Sequence, residues 1–253
     1  MNTNPTRMVC RLRAKQQGFT LVEISVALLI GLFLLGGLLT LVQDMRRTFG
    51  NQNQLSQLQD NERLAMTLIT DVIQAAGYYP NPTLNTISSA LPAVAPYFTQ
   101  AGQAIAGTRN PGPPGDTILV QFLTAPLDGV INCTGNSNLT GANQPYINQF
   151  SVNGSKQLLC TLNKQAPVVL VTGVTNLQIL YGVKTNFALV NNNVDSFLSA
   201  DQMTAADWTN VICVKVTLTF DNSVLAKSQP GQPTTIPFTR VITVMAHGGV
   251  NTI

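Results

Sequence analysis

Charge, histidine and closely spaced cysteines are what this 253-residue chain has least of. Charged residues make up only 10% of it, so Asn, Gln, Thr and Ser must supply most of its polar surface. The single histidine, His247, stands beside Gly248 and Gly249 with no nucleophile-elbow motif to set a serine against it, and it reads as an exposed or capping residue. The cysteines lie far apart with no C-x-x-C pair, so the ligand spacing of a zinc site is missing. Gly112-Pro113-Pro114-Gly115 is a turn rather than a phosphate cradle, because its prolines remove the N–H donors a cradle needs. Asp128, Asp195, Asp201 and Asp207 stand singly in loops, where an acid usually caps a turn or is solvated; calcium is the weaker reading. There is no internal repeat, and Asn191-Asn192-Asn193 reads as a solvated loop tip. No catalytic residue, metal or cofactor is expected, and the chain does not read as an enzyme.

A formal charge of +3 and a pI near 8.7 would point to an acidic partner, but the cations are unevenly placed. Arg7, Arg11, Arg13 and Lys15 precede residue 17 in a stretch without an acid. Without them, 14 − 4 = 10 basic residues face 11 acidic ones, a balance of −1, so no nucleic-acid partner is expected.

What is present begins with residues 24–42, which carry no charge and only Ser25 and Thr40 as polar side chains. About 20 such residues in a helix span a hydrocarbon core of about 30 Å. Basic residues before the run would hold that end in the cytoplasm and place the rest outside it. Glu23 breaks the pattern, because a charge at mid-bilayer costs about 2.5–3.5 kcal/mol on insertion scales. An acid at the helix end that reaches the headgroups is the plainer account of it.

The full stretch Gly18-Phe19-Thr20-Leu21-Val22-Glu23, behind a basic leader and ahead of an apolar run, resembles the class III signal of type IV prepilins. The resemblance implies that prepilin peptidase cleaves between Gly18 and Phe19, that the new Phe19 amine is methylated, and that the apolar run stays as an anchor. It also implies that Glu23 pairs with the N-terminal ammonium of a neighbouring subunit and sets axial register. Residues 68–78, with Asp71, Gly77 and Tyr78, and Trp208 resemble the PilW family of minor pilins and the related J-type minor pseudopilins. That family usually has a basic residue shortly after the Asp, where Ile73 and Gln74 stand here. The resemblance implies a low-copy initiation or tip subunit of a type IV pilus, in contact with other minor pilins and the major pilin through helix packing. The protein would sit in the bacterial inner membrane with its C-terminal domain periplasmic, then in the fibre or at its tip. A minor pseudopilin of type II secretion, a signal-anchored periplasmic enzyme and an adhesin at the pilus tip are the alternatives.

The expected fold class is α+β: a long N-terminal helix packed on a C-terminal antiparallel β-sheet. Its parts are a leader at 1–18, an anchor helix at 19–42, an amphipathic half at 43–77, an irregular loop at 78–115 that is the candidate contact region, and a β-rich domain at 116–253. The amphipathic stripe is Leu55, Leu58, Leu64, Ala65, Leu68, Ile69, Val72, Ile73 and Ala76. Gly77, Pro80 and Pro82 end the helix. Gly36-Gly37 is a weak point inside the anchor. Period-2 patterns predict strands at 116–123, 150–152, 156–162, 168–171, 174–183, 211–220 and 236–246, the last two forming a long antiparallel pair with Arg240 central. Cys10 leaves with the leader, so Cys133, Cys160 and Cys213 allow at most one bridge. Three pairings are possible; Cys133–Cys160 is expected, because Cys213 points away from the helix-facing side of its strand. Three unbridged thiols are the alternative.

Overall fold

The computed structural model describes residues 18–186, 193–228 and 231–245. Leader residues 1–17, Asn191, Asn192, Gln229, Pro230 and the stretch 246–253 with His247 lie outside the described residues. The chain divides into two compact units, residues 1–50 and 51–253. One helix, α1 (Leu21–Gln74), contributes to both.

In the first unit α1 starts where Thr20 caps it. The Glu23 N–H donates to the Thr20 carbonyl at 3.1 Å and lies 3.3 Å from Thr20 Oγ1. Thr20-Leu21-Val22-Glu23 has the T-x-x-E spacing of a capping box. The helix runs through Gly36 and Gly37 without a break. From residue 18 to 50 every residue but Gly31 is exposed, and Leu21 and Phe33 are more than four-fifths so. Within that stretch, residues 24–42 expose a continuous apolar surface of the kind covered by lipid or by other chains rather than by water. Among the described residues, α1 is the one helix long and apolar enough to cross a membrane.

In the second unit α1 buries Leu58, Ala65, Met66, Ile69, Val72 and Ile73. The stripe is therefore narrower than the sequence reading: Leu55 and Leu64 are exposed, while Met66 joins the core. Leu64 lies off the line through Leu58, Ala65, Ile69 and Val72, and Leu55 lies one turn before the first buried position. The helix ends at Gln74, followed by a turn in which Gly77 takes φ +78°. That left-handed conformation is cheap only for glycine. The Gly77 N–H then donates to the Gln121 carbonyl at 3.1 Å.

The expected single sheet is two. Strands β1 (Ile105–Thr108), β2 (Thr117–Thr124), β3 (Gln144–Val152), β4 (Gln157–Leu162) and β5 (Val168–Thr172) form one antiparallel sheet in that order. Strands β6 (Val174–Val183), β7 (Ser196–Leu198), β8 (Val211–Asp221) and β9 (Thr235–Thr243) form the other, in the order β7-β6-β8-β9. The chain passes from one sheet to the other at Gly173, φ +87°, between β5 and β6. A second link lies at Gly115, φ +97°, which forms a parallel bridge with Leu177. The buried stretch of α1, Ile118, Val120 and Phe122 of β2, Leu177 and Ile179 of β6, and Val214, Val216 and Leu218 of β8 share one continuous core.

Residues 78–115 are not wholly irregular. They hold a short helix, α2 (Ile87–Ala90), and the edge strand β1, and they lay Phe98 over Leu119 and Ala106 as a second small core. Gln103 ties this segment down: its Oε1 accepts from the Thr99 N–H at 3.0 Å, and its Nε2 donates to the Ile105 carbonyl at 2.9 Å. Four residues, two of them Ala and Gly, are too few to show a strand period. β3 begins at Gln144 rather than 150, because the buried Asn148 interrupts the apolar alternation of Tyr146, Phe150 and Val152. β9 ends at Thr243, short of the expected 246.

Candidate assembly site

Three residues singled out by the motif lie at the start of α1. Gly18 and Phe19 precede the helix, and Glu23 is the acid of its first turn. A Cβ added at Gly18 would meet nothing within 4 Å, so nothing in this fold requires glycine there. An acid in the first turn is stabilised by the helix dipole by about 0.3–1 kcal/mol. Thr20, not singled out from the sequence, supplies the cap; the S/T-x-x-E spacing was the available signal. Ser25 and Thr40 return their hydroxyls to the carbonyls of Leu21, at 2.6 Å, and Gly37, at 2.7 Å, so neither polar group of the apolar run lacks a partner.

In the second unit Cys133 and Cys160 form a disulfide, with Cα atoms 5.9 Å apart, and Cys213 is free and buried. The loop that the bridge closes is more ordered than its polar composition implies. Cys133 is fully buried and donates its N–H to Asn148 Oδ1 at 2.8 Å. Asn138 is also buried, donating from Nδ2 to the carbonyls of Thr124 and Ala142. Burial pushes the Cys213 thiol up from its ordinary pKa. Its sulfur occupies the space beside Gly182, where a Cβ would approach it to 2.5 Å.

The loop acids act as caps. Asp128 accepts from the N–H groups of Ala125 (2.7 Å) and Val130 (3.0 Å), Asp195 from Thr185 and Asn186, and Asp207 from Thr204. Asp201 accepts from the Ser199 hydroxyl and lies 3.8 Å from Arg109. No group of three or more His, Cys, Asp or Glu with metal-binding placement occurs among the described residues. Asp128 also faces Tyr78, whose phenol is held above its usual range by burial and by that carboxylate. Asp221 pairs with Lys156, and that contact, with help from Ser223, lowers its pKa to about 2.

A cavity of about 560 Å³ opens at the C-terminal end of α1, lined by Asp71, Gln74, Ala75, Tyr78, Gly129, Val130, Ile131 and Met245. Among the described residues that line it there is no arrangement of nucleophile, base and orienting acid. The chemistry that the molecule displays is association: an uncovered apolar helix in one unit and a tightly bonded β-domain in the other.

A long N-terminal apolar helix followed by antiparallel β-sheets is the architecture of a pilin-like subunit, anchored in a membrane by that helix. The comparisons agree. The prokaryotic N-terminal methylation motif matches residues 13–39, and the family described as Type IV Pilus-assembly protein W, PilW, matches residues 145–248. Together the two matches support a PilW-type minor pilin of type IV pilus assembly. No curated protein matches it. The role that goes with this family is structural, in association with other pilus components.

Proposed function

We propose that this minor pilin is a low-copy subunit that initiates the type IV pilus or sits at its tip. Its leader is removed between Gly18 and Phe19 by prepilin peptidase, the Phe19 amine is methylated, and the domain after the anchor lies in the periplasm until the subunit enters the fibre. Its neighbours there are other minor pilins and the major pilin. The observation that carries the reading is the placement of Glu23 at the capped start of a helix whose apolar surface is exposed along residues 21–42.

The physical sequence is direct. The anchor loses little by exchanging lipid for the apolar faces of other anchors, so dispersion and polar pairing decide which neighbours it takes. A carboxylate in that setting is costly unless it meets a cation. The ammonium of a processed neighbour supplies one, and only in one axial register. Replacing Glu23 by Ala or Val should leave membrane insertion and leader removal unchanged. Fibre number should fall roughly tenfold, the effect of about 1–2 kcal/mol lost from one pairing in lipid. Wild-type fibre counts in that variant would leave the helix cap and the headgroups as the whole account of Glu23.

A further inference from the structure

Three of the four sheet edges are short. β1 has four residues, β7 three, and β5 five, with a register shift in its pairing to β4. β9 differs. It has nine residues and pairs with β8 from Asp221↔Thr235 to Cys213↔Thr243 without a shift. Thr235, Pro237, Thr239, Arg240, Val241 and Thr243 are all exposed. A long regular edge is a template for strand addition unless something blunts it.

The bonds at its two ends set which amides point outward. The Asn222 N–H donates to the Thr234 carbonyl at 2.7 Å, and the Val244 N–H donates to the Ile212 carbonyl at 2.9 Å. Bonded pairs alternate along an antiparallel ladder, so the even-numbered residues of β9 face β8 and the odd-numbered ones face away. Pro237 falls on an outward position, where its missing donor takes nothing from the β8–β9 ladder. Beyond it, Thr239, Val241 and Thr243 each keep an outward donor and acceptor. Arg240 stands between them on the opposite face of the strand. Its guanidinium donates to Thr70 Oγ1 at 3.3 Å, and it forms no ion pair among the described residues.

We propose that residues 239–243 of β9 accept an extended segment of another pilus component as an added strand, with an acidic side chain of that segment beside Arg240. The bonds come from the three outward amides and carbonyls, and the preference from charge: a basic or proline-interrupted segment is rejected. A second copy of this chain is the disfavoured occupant, since two β9 edges pairing antiparallel would put two arginines into one short interface. Only the source of the strand rests on the pilus reading; the ladder itself can be tested apart from fibre assembly.

The test uses the full chain in detergent micelles and a blocked nine-residue peptide that alternates Thr and Val about a central Glu. Amide hydrogen exchange is followed residue by residue. At a peptide concentration about ten times its Kd, exchange at Thr239, Val241 and Thr243 should slow roughly tenfold. The same peptide with Lys in place of Glu should bind several-fold more weakly, and Arg240→Glu should reverse that order. Val241→Pro puts a second proline on an outward position, as Pro237 already is, so the domain should keep its melting temperature while the slowing at 239–243 disappears. Absence of slowing at 239–243 would overturn the proposal, as would equal slowing in Val241→Pro. Slowing that rises with protein concentration in the absence of peptide would overturn it in favour of self-pairing.

Discussion

Two physical ends bear on Glu23, and replacement by Ala or Val does not separate them. As the acid of the first turn it supports the helix start, and as a carboxylate next to an apolar run it calls for a cation. Glutamine separates them. It keeps the shape and the hydrogen bonding of a capping box but carries no charge. If pairing with a neighbour's ammonium is the role, Glu23→Gln should fail in fibre assembly as fully as Glu23→Ala; rescue by Gln would assign the residue to the cap alone. Outside the membrane, Asp221 is an acid whose charge has a resolved effect. Its pairing with Lys156 lowers its pKa to about 2 in the folded protein. A depressed acid stabilises the fold above its unfolded pKa of about 3.9, and the stabilisation disappears as pH falls through about 2. Lys156 is half exposed, so solvent screening holds the effect to about 1 kcal/mol. Urea unfolding of wild type and Asp221→Asn should therefore differ by about that amount at pH 6 and converge toward pH 2. A constant difference across that range would remove the pair from the account.

At the scale of elements, the two sheets are joined where the chain has least room for side chains. A Cβ at Gly115 would lie 2.1 Å from the Leu177 carbonyl oxygen, on backbone already at φ +97°. Gly115→Ala combines a left-handed non-glycine residue with overpacking, and should cost about 2–4 kcal/mol in chemical denaturation. Gly173 is also left-handed but opens on empty space, so Gly173→Ala should cost only about 1–2 kcal/mol. The disulfide closes a separation of 27 residues, for which the chain-entropy model gives about 3–4 kcal/mol. Reduction should lower the unfolding free energy by about that much, and non-reducing peptide mapping should recover Cys133 linked to Cys160, with Cys213 alkylated only after unfolding. The elements that could be read from the sequence are those with unmixed patterns: α1, β2, β4, β5, β6, β8 and β9. Those that could not are short, like β1 and β7, or carry a buried amide in the apolar row, like Asn148 in β3. The division into two sheets could not be read either, because it depends on single glycines at Gly115 and Gly173 whose left-handed backbone leaves no periodic trace.

For the whole molecule, the assembly site we propose could be picked out in the sequence because its chemistry is consecutive in the chain. Gly18, Phe19 and Glu23 lie within six residues, and the apolar run follows at once. The β9 edge was not, because an outward amide is a property of ladder register rather than of residue type. The central claim is that this is a processed minor pilin that enters a fibre, and it is tested most directly by the N-terminus of the chain recovered from sheared fibres. N-terminal sequencing with intact-mass analysis should find the mature chain beginning at N-methylated Phe19. Gly18→Glu, at a position where a side chain meets nothing in the fold, should leave precursor in the membrane and none in the fibre. Fibre-associated chain that retains residues 1–18 would contradict the account.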